Sequence, residues 1–323
     1  MIQFILAPEK PLKKISLISF LALLGLMVLT SAQVLAHPGW GIVVNKKGEI
    51  YFGDVNRNIV WKTNINGAVV PFVKGKHSHI LQIDADGNIY GHHVEYDQRN
   101  DRWLGHHWMA TPDGKVRILN EGAWEKMPEL FDSNGNRIHF ISDAHKRVAK
   151  VLKVSPAGDT TVFAGGTWGD RDGKGTQAQF RTFGPAVWGP DQCLYFGSGG
   201  IIRKLSLDGT VTTLAGREQG FGDPDEPRAS GFLGIIVDSK GTVYAAHWEK
   251  RKVIKISRDG TITTVIDGGI GWSPSGVVLG GNDLYVLEHR AGVIGLLEKA
   301  GFGGPRVVKV SLNGKITVVG TAP

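Results

Sequence analysis

Histidine and carboxylate residues recur at matching places in a repeated strand pattern, and these side chains are common ligands of catalytic metal ions. His79 stands before a predicted strand, and His93 and His247 stand at the ends of two others. Imidazole nitrogens completed by a carboxylate oxygen are a donor set that zinc accepts. Glu288 and Asp54 lie at equivalent strand ends, and each could serve as the base of a hydrolase or lyase.

Tight turns define the strands that must position these residues. The segment from His77 to His93 consists of two apolar runs around Asp86-Gly87, which indicates a β-hairpin because such a turn needs positive φ. Six copies align on the second strand, with anchors spaced 39, 49, 56, 49 and 41 residues apart. The anchors are Tyr51, Tyr90, His139, Tyr195, Tyr244 and Tyr285. We expect His139, which replaces a tyrosine, to be a packed core residue.

A second turn follows each anchor, so every repeat contains four strands. Four strands in about 40–50 residues are typical of propeller blades. The sequence therefore predicts an all-β, six-bladed β-propeller with four-stranded antiparallel blades. The predicted blades are about 38–74, 77–120, 123–166, 180–216, 230–267 and 271–320. Each is continuous in sequence, so ring closure is expected to rest on packing between the first and sixth blades, without pairing across the seam.

The first 36 residues have the features of a secretory signal peptide. Three lysines precede an apolar run from Ile15 to Leu29, and Val34-Leu35-Ala36 provides a small-residue cleavage site. We expect cleavage after Ala36 and a periplasmic or secreted protein of residues 37–323, with an uncleaved membrane anchor as the alternative. The single cysteine, Cys193, excludes an internal disulfide.

Several segments resemble NHL-repeat propellers, a group within the TolB-like and gluconolactonase-like propellers. Phe163-Ala164-Gly165-Gly166, followed by Gly169-Asp170-Arg171-Asp172-Gly173, is similar to a connector between blades of that family. Asp54-Val55-Asn56-Arg57-Asn58-Ile59 resembles its turn after the second strand. The resemblance covers nearly all of residues 38–320 and implies the propeller fold, but such propellers include lyases, lactonases and binding modules.

Two enzyme types of similar architecture have site patterns that this chain does not reproduce. NHL-type amidating lyases carry a zinc-binding histidine before the inner strand of three blades, and only His79 matches. Gluconolactonase-like propellers use glutamate, asparagine and aspartate where this chain has Pro38-Gly39-Trp40, Phe183-Gly184-Pro185 and Phe232-Leu233-Gly234. Neither activity is therefore implied by the resemblance.

Residues before the first strand and after the second strand of each blade should surround one mouth of the central channel. Convergent polar groups in such a place are candidates for a binding site. The predicted mouth residues are Trp40, Asp54, His79, His93, Asp143, Ser198, His247, Glu288 and His289. The long connection Val94–Arg102 should leave the same mouth.

Two interpretations of this mouth remain open. In the first, His79, His93 and His247 hold zinc, copper or calcium, and cleavage after Ala36 adds the amine and ring of His37. In the second, the histidines only hydrogen-bond neighbouring loops. The corresponding functions are a metal-dependent hydrolase or lyase, with Glu288 or Asp54 as base, and a non-catalytic propeller without a cofactor that binds a protein or small molecule. The second is favoured because no complete catalytic set is visible.

The charge distribution limits the possible partners. The net charge is +7, but the basic residues are spread along the chain rather than grouped in a block. This pattern argues against nucleic acid as a partner. We expect a monomer with no membrane contact beyond the signal peptide.

Overall fold

The computed structural model describes residues 38–64, 66–76, 78–97, 99–100, 102–123, 130–216, 218, 221, 231–268, 271–290 and 303–323. For 93–97, 102–104 and 120–123 it describes the backbone only. The predicted signal peptide and His37 therefore lie outside the described residues. Within the described part of the chain, no helical segment has the length and hydropathy needed to cross a bilayer.

The first three blades are four-stranded antiparallel sheets. Blade 1 contains β1 (Ile42–Val44), β2 (Ile50–Asp54), β3 (Ile59–Thr63) and β4 (Val69–Lys74). Blade 2 contains β5 (Leu81–Ile83), β6 (Ile89–Asp97), β7 (Arg102–Ala110) and β8 (Val116–Ala123). Blade 3 contains β9 (Leu130–Phe131), β10 (Arg137–Asp143), β11 (Val148–Val154) and β12 (Thr160–Gly165).

A connector with short elements leads into the last three blades. It contains β13 (Thr167–Trp168), β14 (Gly173–Lys174), the 3-10 helix Gly175–Gln177 and β15 (Gln179–Phe180). Blade 4 contains β16 (Phe183–Trp188), β17 (Leu194–Ser198), β18 (Ile201–Leu205) and β19 (Thr210–Ala215), with β14 added at its outer edge. Blade 5 contains β20 (Phe232–Val237), β21 (Val243–His247), β22 (Lys252–Ile256) and β23 (Ile262–Asp267). Blade 6 contains β24 (Trp272–Gly280), β25 (Asp283–Arg290), β26 (Arg306–Val310) and β27 (Ile316–Thr321).

These sheets confirm the predicted fold: six blades of four antiparallel strands in a propeller ring, each continuous in sequence. The predicted turn glycines have the required backbone, with φ of 85° at Gly87 and 82° at Gly241. One anchor is wrong. In blade 3 the buried anchor position belongs to Ile138, which is 3% exposed, whereas His139 is only half-buried. Ile138 is opposite Lys153 in the sheet, as Tyr51 is opposite Lys62 in blade 1.

The apolar core lies between blades rather than within one blade. Each described cluster combines residues of two neighbouring blades, such as Tyr195 of blade 4 with Ile254 of blade 5. Glycines on the inner strands allow the blades to approach closely. A Cβ on Gly276 would clash with the Trp40 carbonyl oxygen, and one on Gly234 would lie 2.7 Å from the Ser275 carbonyl oxygen.

Blades 1 and 6 close the ring through packing and hydrogen bonds. An apolar cluster spans this seam and includes Ile42, Phe52 and Trp61 of blade 1 with Leu287 and Val307 of blade 6. The expectation of packing alone is incomplete, because the Ser275 hydroxyl donates to the Gly39 carbonyl oxygen at 2.8 Å. Arg57 Nη1 also donates to the carbonyl oxygen of Pro323.

The connector that resembles NHL propellers is held by one buried arginine. The Arg203 side chain is fully buried and donates to the carbonyl oxygens of Gln179 at 3.0 Å and Arg171 at 3.1 Å. It also donates to Asp172 Oδ1 at 2.9 Å, and the same carboxylate accepts the Thr213 N–H and hydroxyl. The charges of this segment thus have a structural role in joining blades 3 and 4.

The segment Val94–Arg102 is not a long irregular connection. β6 continues to Asp97 and β7 begins at Arg102, so most of this segment extends the hairpin of blade 2. Both strands have nine residues, whereas β2 and β3 of blade 1 have five each.

Candidate functional site

Three of the predicted mouth residues cap equivalent turns after the second strand. Asp54, Asp143 and His247 each accept the backbone N–H of the residue three positions later, at 3.2, 3.0 and 3.3 Å. The fourth residue after each cap has a left-handed backbone, with φ between 53° and 55°. These residues are Asn58, Arg147 and Arg251. His247 therefore accepts the same backbone hydrogen bond that an aspartate accepts in an Asx-type turn.

His247 is enclosed by aromatic rings. Its side chain is only 5% exposed and lies 4.6 Å from the Phe232 ring and 5.4 Å from the Phe221 ring, measured between ring centres. Burial, with a smaller contribution from Lys250, lowers the pKa of His247 to about 4. The imidazole is therefore neutral at pH 7, and Nδ1 must be unprotonated to accept the Lys250 N–H.

The two carboxylates considered as bases are both held by arginines. Asp54 is fully buried, and its Oδ2 accepts Arg57 Nε at 2.6 Å and Trp61 Nε1 at 3.1 Å. Glu288 is 2% exposed and its Oε2 accepts Arg306 Nε at 2.7 Å. Buried ion pairs of this kind are stabilised by mutual hydrogen bonding. The arginine donors occupy carboxylate lone pairs that a catalytic base would use to accept a proton.

Two further mouth residues also make structural contacts. Ser198 is fully buried and its hydroxyl oxygen accepts the Arg181 N–H at 3.0 Å. Asp143 is more exposed, and hydrogen bonding to the Lys146 N–H, with the Lys146 charge, lowers the pKa of its carboxyl group. Both residues hold local backbone in place.

His289 belongs to the seam between blades 6 and 1. It is 3% exposed, and its Nε2 lies 3.0 Å from the Gly39 carbonyl oxygen that also accepts the Ser275 hydroxyl. Since Nε2 faces a carbonyl oxygen, it carries the proton in this contact. The ring also meets Trp248 edge-on, with centres 6.3 Å apart.

Trp40 and His79 lie together at the mouth. Both are half-buried, their ring centres are 5.2 Å apart, and the backbone N–H of Trp40 donates to the His79 carbonyl oxygen at 3.0 Å. This pair brings an indole and an imidazole to the start of two neighbouring inner strands.

The predicted metal ligands do not form a cluster in the described part of the chain. Among those residues, no three His, Cys, Asp or Glu side chains come together so that they could hold an ion. The His93 side chain and all of His37 lie outside the described residues. The described donors therefore do not fit the proposed metal, and a mouth site would need His93 or His37.

The inner strands surround a cavity of about 250 Å³ in the central channel. All six blades contribute to its wall, and Trp40 stands at its mouth end. Most lining side chains are apolar, and the polar groups come from Trp40, Gln82 and His139. None of the described lining residues is Lys, Arg, Asp or Glu. The sequence patterns did not predict that Gln82 and His139 line the channel. A polar residue between two apolar positions of a predicted inner strand, such as Gln82 between Leu81 and Ile83, is a signal that could have been used.

Comparisons with known proteins place this geometry in context. Residues 188–289 match the family model described as the SMP-30/gluconolactonase/LRE-like region, which is less than half of the chain. No curated protein matches the chain.

Solved propeller structures resemble the chain only distantly. Virginiamycin B lyase from Staphylococcus aureus is 15% identical, with a TM-score of 0.47 over 87% of this chain and 83% of that chain. A gluconolactonase from Xanthomonas campestris is 14% identical, with a TM-score of 0.47 over 77% and 83%. The calcium-binding protein regucalcin from Agrobacterium tumefaciens is 13% identical, with a TM-score of 0.48 over 77% and 81%. Likeness at this level carries no information on activity.

Proposed function

We propose that this protein is an exported, non-catalytic propeller that binds a small, uncharged ligand in the mouth end of its central channel. The observation that carries the proposal is the cavity of about 250 Å³, whose lining side chains are mostly apolar although nearly half of its exposed wall is polar. Cavities with this lining are the usual form of small-molecule sites. Export is supported by the leader-like residues 1–36.

The chemistry of the wall restricts the ligand. A charged ligand would lose its hydration on entry, and the described lining offers no Lys, Arg, Asp or Glu to pair with it. The volume is below the roughly 300–1,000 Å³ of sites for drug-sized compounds. A neutral compound smaller than those, with an apolar body and one or two hydrogen-bonding groups, fits best. Trp40 would stack on its flat face.

A channel-blocking variant tests the proposal. Gln82 is exposed within the channel, so Gln82→Trp should fill the cavity without overpacking the core. We expect neutral fragments that give saturation-transfer NMR signals with the native protein to lose them with Gln82→Trp. Gln177→Trp is the matched control, because Gln177 is exposed and is not among the channel residues. Equal signals with Gln82→Trp and the native protein would place the ligand elsewhere and contradict the proposal.

The match of residues 188–289 favours a second candidate, a metal-dependent hydrolase or lyase that uses the same mouth. Its test is elemental analysis of the purified protein together with lactone hydrolysis assays in zinc, copper or calcium. His79→Ala should abolish both metal content and turnover if this candidate holds. His247→Asn should leave both unchanged if His247 only caps its turn. Absence of metal and turnover in the reconstituted native protein would remove this candidate.

A further inference from the structure

Four histidines lie side by side on two neighbouring strands of blade 2, away from the channel wall. In the antiparallel register of β6 and β7, His92 is opposite His107 and His93 is opposite His106. Both pairs lie in the part of the hairpin that corresponds to β2 and β3 of blade 1, just before β6 and β7 extend beyond that five-residue length. None of these residues is needed for the channel proposal.

The His92 and His107 rings are in direct contact. Their centres are 4.7 Å apart, their planes differ by 31°, and both side chains are half-buried. Two imidazoles on one tetrahedral zinc ion, with zinc–nitrogen bonds of about 2.0–2.1 Å, have ring centres about 5 Å apart. The two rings therefore lie at about the separation that a shared ion requires. A shared ion would require one nitrogen of each ring to point at a common position between them.

The surroundings of the pair determine what kind of site it can be. Tyr90 is two residues before His92 on β6, but its hydroxyl donates to Asp84 Oδ2 at 3.0 Å and is thus engaged. The described residues supply no third His, Cys, Asp or Glu to complete a cluster. An ion bound by two imidazoles would keep open positions for water or an external donor group.

We propose that His92 and His107 form a two-imidazole site for a divalent first-row transition-metal ion, with zinc as the first ion to test. Imidazole nitrogen is a preferred donor for zinc, copper and nickel, whereas calcium prefers oxygen. A bound ion would join β6 to β7 at the base of the extended hairpin. Neither His92 nor His107 lines the channel, and neither is among the predicted mouth residues.

Titration calorimetry with zinc chloride on the metal-stripped full chain tests the proposal. We expect one binding event, and His92→Ala and His107→Ala should each weaken it by about tenfold or more, because each removes one of two ligands. His145→Ala is the matched control, since His145 is exposed in the turn after β10, and should titrate like the native protein. Absence of zinc binding, or native-like binding by both variants, would overturn the proposal.

Two further measurements keep the result interpretable. His79→Ala separates the pair from the mouth, and zinc binding lost in that variant but kept in His92→Ala would assign the ion to the mouth instead. If either variant of the pair fails to fold by circular dichroism, electron paramagnetic resonance of His79→Ala with one equivalent of Cu²⁺ decides the question, because that variant lacks a predicted mouth ligand. Two coordinating imidazoles are expected in the spectrum, and none or one would contradict the site.

Discussion

Asp54 of blade 1 and His247 of blade 5 occupy the same place in their blades, yet their surroundings differ. Both cap the turn after the second strand by accepting the N–H three residues later. Asp54 also meets Arg57 Nε and the Trp61 indole N–H. The residue equivalent to Trp61 in blade 5 is Ile254, which is 1% exposed and has no side-chain donor.

The difference shows how a buried cap must suit its neighbours. A carboxylate is stable at the first position because cationic and neutral donors satisfy its lone pairs. At the second position aromatic rings surround the cap, and a neutral imidazole avoids the cost of an unpaired buried charge. The histidine therefore fits the turn without any ligand, although its position first suggested a metal site.

The largest expected effect comes from removing the charged cap. Asp54→Ala leaves Arg57 and the Trp61 N–H without their buried acceptor, and breaking a buried ion pair costs about 3–5 kcal/mol. We expect a loss of this size in the free energy of unfolding, measured by urea denaturation at pH 7. A loss below about 1 kcal/mol would mean that the pair is worth no more than a surface contact.

A smaller effect is expected from acid. The pKa of His247 is about 4 in the folded protein, whereas an unperturbed histidine has a pKa of 6.5. Between these two pH values the imidazole therefore binds a proton only in the unfolded chain. The contribution of His247 to the free energy of unfolding should thus be fully present above about pH 6.5. It should fall as the pH drops towards 4, by about 3 kcal/mol in total. Urea denaturation between pH 7 and pH 4 measures this loss.

His247→Asn is the control for the acid effect. Asparagine keeps an oxygen that accepts the Lys250 N–H but has no titrating group. The variant should lose the part of the pH dependence that lies between 6.5 and 4. Asp113 and Asp191, whose pKa values are about 2, lose their contributions only at lower pH. An unchanged pH profile in His247→Asn would show that another group is responsible.

The smallest loss of stability is expected for Asp143, the most exposed of the three turn caps. Asp143 makes the same backbone contact as Asp54, but its side chain is 35% exposed and its lysine partner is 80% exposed. Loss of a turn cap and a solvated ion pair in Asp143→Ala should cost about 1 kcal/mol or less. A cost equal to that of Asp54→Ala would show that burial does not cause the difference between the two turns.

The fold could be predicted from the sequence because the turns carry strong local signals. Asp86-Gly87 and similar pairs need positive φ, and the structure gives their glycines that backbone. The blade 3 anchor was misassigned by one residue: Ile138 follows the turn glycine Gly135 by three positions, as Tyr90 follows Gly87, whereas His139 follows it by four.

The site was less predictable because its contacts depend on partners that the sequence does not pair. Arg57 is three residues after Asp54 and could have been recognised, whereas Arg306 lies 18 residues after Glu288. The contact between His92 and His107 depends on the register of β6 and β7, which brings together two residues 15 positions apart in the sequence.

Contiguous blades also set an order in which the ring can fold. Most strand pairs join residues a few positions apart, but the Ser275–Gly39 hydrogen bond spans 236 residues. Enlarging a loop from a hairpin turn to this length takes about six doublings, which adds roughly 3.5 kcal/mol of closure entropy. Blades can therefore assemble as local units, with the join between blades 6 and 1 formed last. The same join is then the first part of the ring expected to open, and amide hydrogens at that seam should exchange before those between blades 4 and 5.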